Sequence, residues 1–244
     1  MNPESLFPAW ARLGINFPAF KPSKEEPLVE DLIAQTSKIG RYEPRLLEGM
    51  VGWITKHGEL MNTSLMHKYI SLGDSSVLGL VFDLLESKES EKLKNLNRYC
   101  VQKDKAEMLF YIAESSPRMK AEAIEKEQAI NKKWNLYYAN FRIKTDAVFE
   151  RKWVLRNNSN LARRALFKPI MRTEILNMLL NKGKSFPAEI ARNLRYQYHR
   201  IVDDIEELIR EGAIIETILK KKREVQLSPS FKEYLQLTPY GSGN

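Results

Sequence analysis

Little in this chain is equipped for covalent chemistry. Its histidines are His57, His67 and His199 and its one cysteine is Cys100, with no CxxC or HExxH spacing that would hold a metal. There is no phosphate-cradling Walker loop, no glycine-rich dinucleotide turn and no G-x-S-x-G elbow. The carboxylates fall mainly on the outer faces of expected helices, so no acid/base pair stands out. Neither an enzyme nor a cofactor or metal is expected. What remains is positive charge. Residues 1–150 carry 21 Lys+Arg and 21 Asp+Glu, whereas residues 151–244 carry 18 and 10, so the whole net charge of +8 belongs to the last part of the chain. Such a surplus on one domain is the electrostatic footprint of a phosphate-backbone binder. Its most concentrated patch is Lys220, Lys221, Lys222 and Arg223.

These residues need a scaffold, and the composition allows one. A hydrophobic content of 43% supplies a core. No apolar run approaches the roughly 18 residues of a membrane span, so a soluble protein with no membrane partner is expected. The N-terminus, with Pro3, Pro8 and Pro18, lacks the basic-then-apolar order of a secretory signal. A lone Cys100 allows no intrachain disulfide and suits a reducing cytoplasm.

The fold class expected is mainly α. Residues 1–27, broken by prolines yet rich in aromatics, read as an ordered arm without a helix. Helices are expected over Leu28–Ser37, Pro44–Lys56, Asn62–Ile70 and Asp74–Glu86, the last capped by Asp74. The Pro44–Glu86 triplet has the cadence of a second, diverged helix-turn-helix, or of any small helical bundle. Ser90–Cys100 and Lys103–Glu114 read as an antiparallel helical pair, and Pro117–Phe149 as one long helix. The polar run Asn157-Asn158-Ser159-Asn160 reads as the linker between an N-terminal helical region, 1–160, and a C-terminal domain, 161–240.

In the C-terminal domain the pattern gives helices at about Pro169–Asn181, Phe186–Leu194 and Gln197–Glu211, with Gly212 as a breaker. Two β-rich runs follow, Ala213–Leu219 and Glu224–Ser228, on either side of the basic cluster. Glu189, Ile190, Ala191 and Leu194, then Ile201, Ile205, Leu208, Gly212 and Ile214, carry a resemblance. They are similar to winged helix-turn-helix transcription regulators of the MarR/ArsR type, with an E-I-A helix, a turn, a recognition helix and a wing. The resemblance covers this domain alone. It departs at Arg195, where such turns often have glycine.

The resemblance implies a sequence-specific regulator of double-stranded DNA, with the N-terminal part of the third helix in the major groove. Gln197 would then pair with adenine and Arg200 with guanine, while Tyr198 or His199 would reach a base or phosphate and Arg195 a phosphate. Lys220 to Arg223 would lie over the flanking backbone or minor groove. A homodimer is expected by the usual match to palindromic sites. Other readings stay open. Tyr198 fits the core as well as a base contact, the basic run fits an ordinary solvated hairpin tip, and Asp203, Asp204, Glu206 and Glu207 oppose deep insertion of the helix. The alternative function is a protein-interaction adaptor or antitoxin-like partner that uses the same fold for docking.

Overall fold

The computed structural model describes residues 3–85, 91–114, 116–125, 129–138, 140–166, 170–219 and 222–237. Glu86, Ser90, Pro169, Lys220 and Lys221 lie outside the described residues, as does the side chain of Lys222. The chain is mainly helical, with a small antiparallel three-stranded sheet. It divides into two compact units, 1–154 and 155–244, where the sequence suggested 1–160 and 161–240.

In the first unit the N-terminal arm is ordered, and it is helical where no helix was expected. A 3-10 turn, Pro3–Leu6, leads into α1, Phe7–Arg12, whose Pro8 occupies the first turn, where a missing N–H costs nothing. Trp10 and Trp53 are both completely buried. The Trp10 Nε1–H donates to Thr36 Oγ1 at 2.8 Å and the Trp53 Nε1–H donates to the Leu13 carbonyl at 2.8 Å. Each indole thus keeps its polar edge satisfied while its rings fill the core.

The next helices follow the expected order: α2, Val29–Ile39; α3, Pro44–His57; α4, Thr63–Tyr69; and α5, Ser75–Asp83. Asn62 and Asp74 cap α4 and α5 by accepting from the N–H groups of Leu65 and Val77. Val77, Leu78, Leu80, Val81 and Phe82 of α5 are essentially unexposed. α5, the third helix of the triplet, is thus buried all round, which does not suit a helix that enters a DNA groove.

Beyond α5 the expected long helices do not form. α6 is Glu91–Lys94, followed by a 3-10 stretch Asn95–Tyr99; β1 is Glu107–Met108; α7 is Tyr111–Glu114; α8 is Pro117–Glu125; α9 is Ala129–Trp134; and β2 is Leu136–Tyr137. Two tertiary demands override helical propensity here. Buried Arg41 draws the chain at 107–109 into an extended form, its Nε donating to the Leu109 carbonyl at 3.0 Å and Nη2 to the Met108 carbonyl at 2.7 Å. β1 then pairs in parallel with β2. Trp134 lies so close to Gly79 that a Cβ there would meet the indole at 2.3 Å. Asn135, at φ 53°, ends α9 immediately afterwards.

The segment before α10, Arg151–Asn157, is held by the C-terminal end of α3. Lys56 Nζ donates to the Val148 carbonyl at 2.9 Å, and the buried His57 donates from Nε2 to the Phe149 carbonyl at 2.9 Å, leaving its Nδ1 without a partner. Burial pushes the His57 pKa below 6.5; Lys56 and Arg151 add to this, while the Phe149 carbonyl and Glu150 oppose it. The unfolded chain therefore takes up a proton that the native chain refuses. The stability from a neutral His57 is complete above about pH 6.5 and is lost as the pH falls below it. Urea midpoints measured between about pH 7.5 and about pH 5.5 should drop more steeply for the wild type than for His57→Gln.

The second unit continues with α11, Ser159–Leu166; α12, Ile170–Lys182; β3, Lys184–Ser185; α13, Pro187–Leu194; α14, Tyr198–Arg210; β4, Ile214–Leu219; β5, Lys222–Leu227; and α15, Pro229–Leu237. Within the polar run read as the linker, Asn158 is completely buried beside α11. Ile175, Leu179, Ile190, Ala191, Ile201, Ile205, Leu208, Ile214, Val225 and Leu227 form one core. β4 and β5 pair antiparallel from Ile214↔Leu227 to Leu219↔Lys222, and β3 adds to the far side of β5. β3 and α15 went unread in the sequence, being a two-residue strand and a helix with a single buried apolar position in view, Leu235. Gly212, at φ 74°, takes the left-handed turn between α14 and β4.

Candidate nucleic-acid interface

α13 and α14 meet through a turn with left-handed Arg195, at φ 55° and ψ 37°. Its N–H caps α13 by donating to the Arg192 carbonyl at 3.3 Å, and the Tyr196 N–H donates to the Ala191 carbonyl at 3.0 Å. A side chain in this conformation costs about 1 kcal/mol relative to glycine. The turn expected to depart from the glycine pattern thus keeps the glycine-like backbone and adds an exposed cation.

Gln197 is the N-cap of α14, is exposed, and makes no side-chain capping bond. Tyr198 is 57% exposed, so it is not a core residue. His199 and Arg200 are exposed as well, and the side chains of Gln197, Tyr198, His199 and Arg200 make no hydrogen bond or ion pair to another described residue. Ile201, Ile205 and Leu208 take the buried stripe of the same helix, which turns His199 and Arg200 outward, while Gln197, the N-cap, and Tyr198 lie at its exposed end.

A groove of about 700 Å³ opens beside this turn, lined by Phe186, Pro187, Glu189, Arg192, Tyr198 and Arg223 among others. It brings together the starts of α13 and α14 and the strand β5. Glu189 is already engaged: Lys182 contacts its Oε1 and the Ser185 hydroxyl donates to its Oε2 at 2.7 Å. These bonds hold the carboxyl below the usual carboxylate range. Arg192 is exposed on the wall and makes no side-chain bond to a described residue. It was absent from the sequence candidates, although the Ile190, Ala191 and Leu194 stripe places it on the outer side of α13.

The acids of α14 are largely engaged in ion pairs, and Asp204 is buried. Asp204 is only 8% exposed, and Arg172 of α12 contacts it from Nε at 3.0 Å. The same guanidinium contacts Glu207, and it lies 3.6 Å from Glu211. Positions 204, 207 and 211 form one row along a helix, which Arg200 heads one turn earlier, so one arginine on α12 gathers the three carboxylates that follow Arg200 on that row. Glu206 is engaged separately by Arg223, at 3.4 Å. Asp203 alone of the four acids stays exposed without a partner among the described residues.

No family model, curated protein or solved structure compared with this chain matches it.

The basic cluster fares differently from the turn. Lys220 and Lys221 lie outside the described residues, and Lys222 is seen only as the backbone partner of Leu219. Arg223 is half-buried and ion-paired: its Nη1 meets Glu206 of α14 and its Nε meets Glu216 of β4 at 2.5 Å. The reason is strand register. Arg223 pairs with Ile218 and lies two residues from buried Val225, so its side chain leaves the sheet on the α14 side. The second unit carries 16 Lys+Arg against 10 Asp+Glu, an excess of +6, and the first unit carries the remaining +2.

Elsewhere, no group of three or more His, Cys, Asp or Glu among the described residues is placed to hold a metal ion. Burial pushes the Cys100 thiol up to about 12, which leaves it a poor nucleophile at neutral pH. No helix among the described residues is long and apolar enough to cross a membrane.

Proposed function

We propose that the second unit is a winged helix-turn-helix that binds double-stranded DNA, and that the protein is a sequence-specific regulator of transcription. α14 would enter the major groove by its first turn, with Gln197 and Arg200 meeting base edges and Tyr198 or His199 a base or phosphate. Arg192 and Arg195 would hold the backbone at the rim of the groove, and the β4–β5 hairpin would serve as the wing. The observation that carries this reading is the split of α14. Its first turn is exposed and unpartnered among the described residues, while Asp204, Glu207 and Glu211 are drawn onto Arg172. Two copies on a palindrome would set recognition helices about 34 Å apart.

Titration of duplex DNA in mobility shifts, repeated over a series of salt concentrations, tests the reading. Replacing Arg192, Arg195 and Arg200 together with alanine should weaken binding by at least about 100-fold at low salt and flatten the salt dependence by about two to three phosphates. Wild-type protein that binds no duplex at low salt, or a triple variant that binds as well as wild type, defeats it.

One observation favours a second reading, docking of another protein on the same face. Ile218, beside Arg223 on the hairpin, is 75% exposed, and an apolar side chain there suits a protein surface. An Ile218→Ser variant that loses a stoichiometric protein partner while retaining DNA binding would support it.

A further inference from the structure

Arg223 lies between two carboxylates, Glu206 on α14 and Glu216 on β4. One guanidinium between two glutamates leaves this trio with one negative charge in excess, beside a groove that Arg192 and Arg223 both line. The side chains are 29%, 53% and 42% exposed for Arg223, Glu206 and Glu216, so water and salt reach the two glutamates, while the buried Arg223 Nε makes no hydrogen bond of its own to hold it there. A phosphate offers arginine the same two-oxygen geometry as a carboxylate. Replacing one by the other is therefore nearly balanced, and the balance is tipped by the repulsion between an arriving phosphate and the glutamates it must displace.

We propose that Glu206 and Glu216 withhold Arg223 from the nucleic-acid backbone, so that this arginine contacts phosphate only on a duplex already seated by the first turn of α14. The two glutamates are specificity-determining residues: they suppress backbone binding to arbitrary sequence. This rests on the DNA-binding reading above. A duplex held by backbone charge alone meets the glutamates before it meets the arginine. A duplex held by base contacts brings its phosphates close enough to take the guanidinium, and Glu206 and Glu216 are then left to solvent.

The experiment is a double-mutant cycle on the full chain, titrating a duplex of arbitrary sequence. Glu206→Gln should raise affinity about tenfold at about 50 mM salt, with the gain about threefold smaller at about 200 mM, as one added phosphate contact requires. In an Arg223→Gln background the same change should yield much less. Glu216→Gln should behave alike, which guards against a folding effect peculiar to one site. Asp203→Asn removes an equal charge from α14 without touching Arg223, and its effect should be the same in both backgrounds. A gain from Glu206→Gln that survives unchanged in the Arg223→Gln background overturns the proposal, as does a loss of affinity. Wild-type binding with a background-independent gain overturns this proposal alone, whereas no binding by any variant at low salt overturns the DNA reading with it.

Discussion

Replacing Arg172 with methionine is expected to lower the unfolding free energy of the second unit by about 3 kcal/mol. Methionine keeps much of the apolar stem but removes the charge that Asp204, Glu207 and Glu211 share. Asp204 has almost no access to water, and its Oδ2 already has no hydrogen-bond partner, so losing the bond at Oδ1 leaves a buried carboxylate uncompensated. Such a loss exceeds the modest worth of an exposed pair, because the desolvation cost remains while the attraction is gone. On the proposed DNA-binding reading, affinity for duplex should fall beyond what the unfolded fraction explains, since the three carboxylates then act unscreened beside the first turn of α14. Arg172→Met combined with Asp204→Asn, Glu207→Gln and Glu211→Gln should recover most of the affinity. Chemical denaturation and salt-dependent titration of the two variants check both parts. An Arg172→Met protein as stable and as tight-binding as wild type would falsify this account of α14.

Trp53→Ala should destabilise the first unit by about 4 kcal/mol. The indole is completely buried beside Trp10, with ring centroids 6.1 Å apart, and it touches His57 at 5.5 Å in an edge contact. Truncation empties that volume and also orphans the Leu13 carbonyl, which accepts the indole N–H. Because that carbonyl immediately follows α1, the N-terminal arm loses an anchor on α3. Trp53→Phe fills most of the cavity but restores no donor, so it should fall between the wild type and Trp53→Ala. Urea unfolding followed by far-ultraviolet circular dichroism measures the order. Equal losses for the two variants would mean that packing volume contributes little.

How far the residues could be read depended on whether local pattern and tertiary demand agreed. In the second unit they agree. The Ile190, Ala191 and Leu194 stripe and the Ile201, Ile205 and Leu208 stripe have the 3.6-residue period, and both face the core. Val225 and Leu227 of β5 alternate as a strand should, and Gly212 stands where a left-handed residue is needed. In the middle of the first unit they disagree. Residues 103–149 have the composition of helices, yet Arg41 recruits the carbonyls of Met108 and Leu109 and Trp134 seats against Gly79. Those partners lie many residues away in sequence, so no window of local periodicity contains the information.

The residues of the candidate interface divide in the same way. His199 and Arg200 were nameable from the chain because a buried stripe dictates which neighbours point outward, and Arg195 and Gln197 because the resemblance places them at the turn and at the start of the third helix. Tyr198 was ambiguous at three positions before Ile201, and only the packed helix shows it exposed. Arg223 looked like one more cation in a basic run, and the register of β5 against β4 turns it onto Glu206 and Glu216. The acids of α14 looked like a repulsive exposed face until Arg172, two helices earlier, was placed against them.

By itself, the sequence determined a mainly helical chain, the order of three helices and a hairpin near its end, the side of α14 that is free of the core, and the position of the excess positive charge. The tertiary structure decided which charges remain available. Charge counts add along a chain, but the field at a surface depends on which ions are paired across space. Arg172 and Arg223 each answer acids on another element, and that pairing is set by how helix and sheet pack.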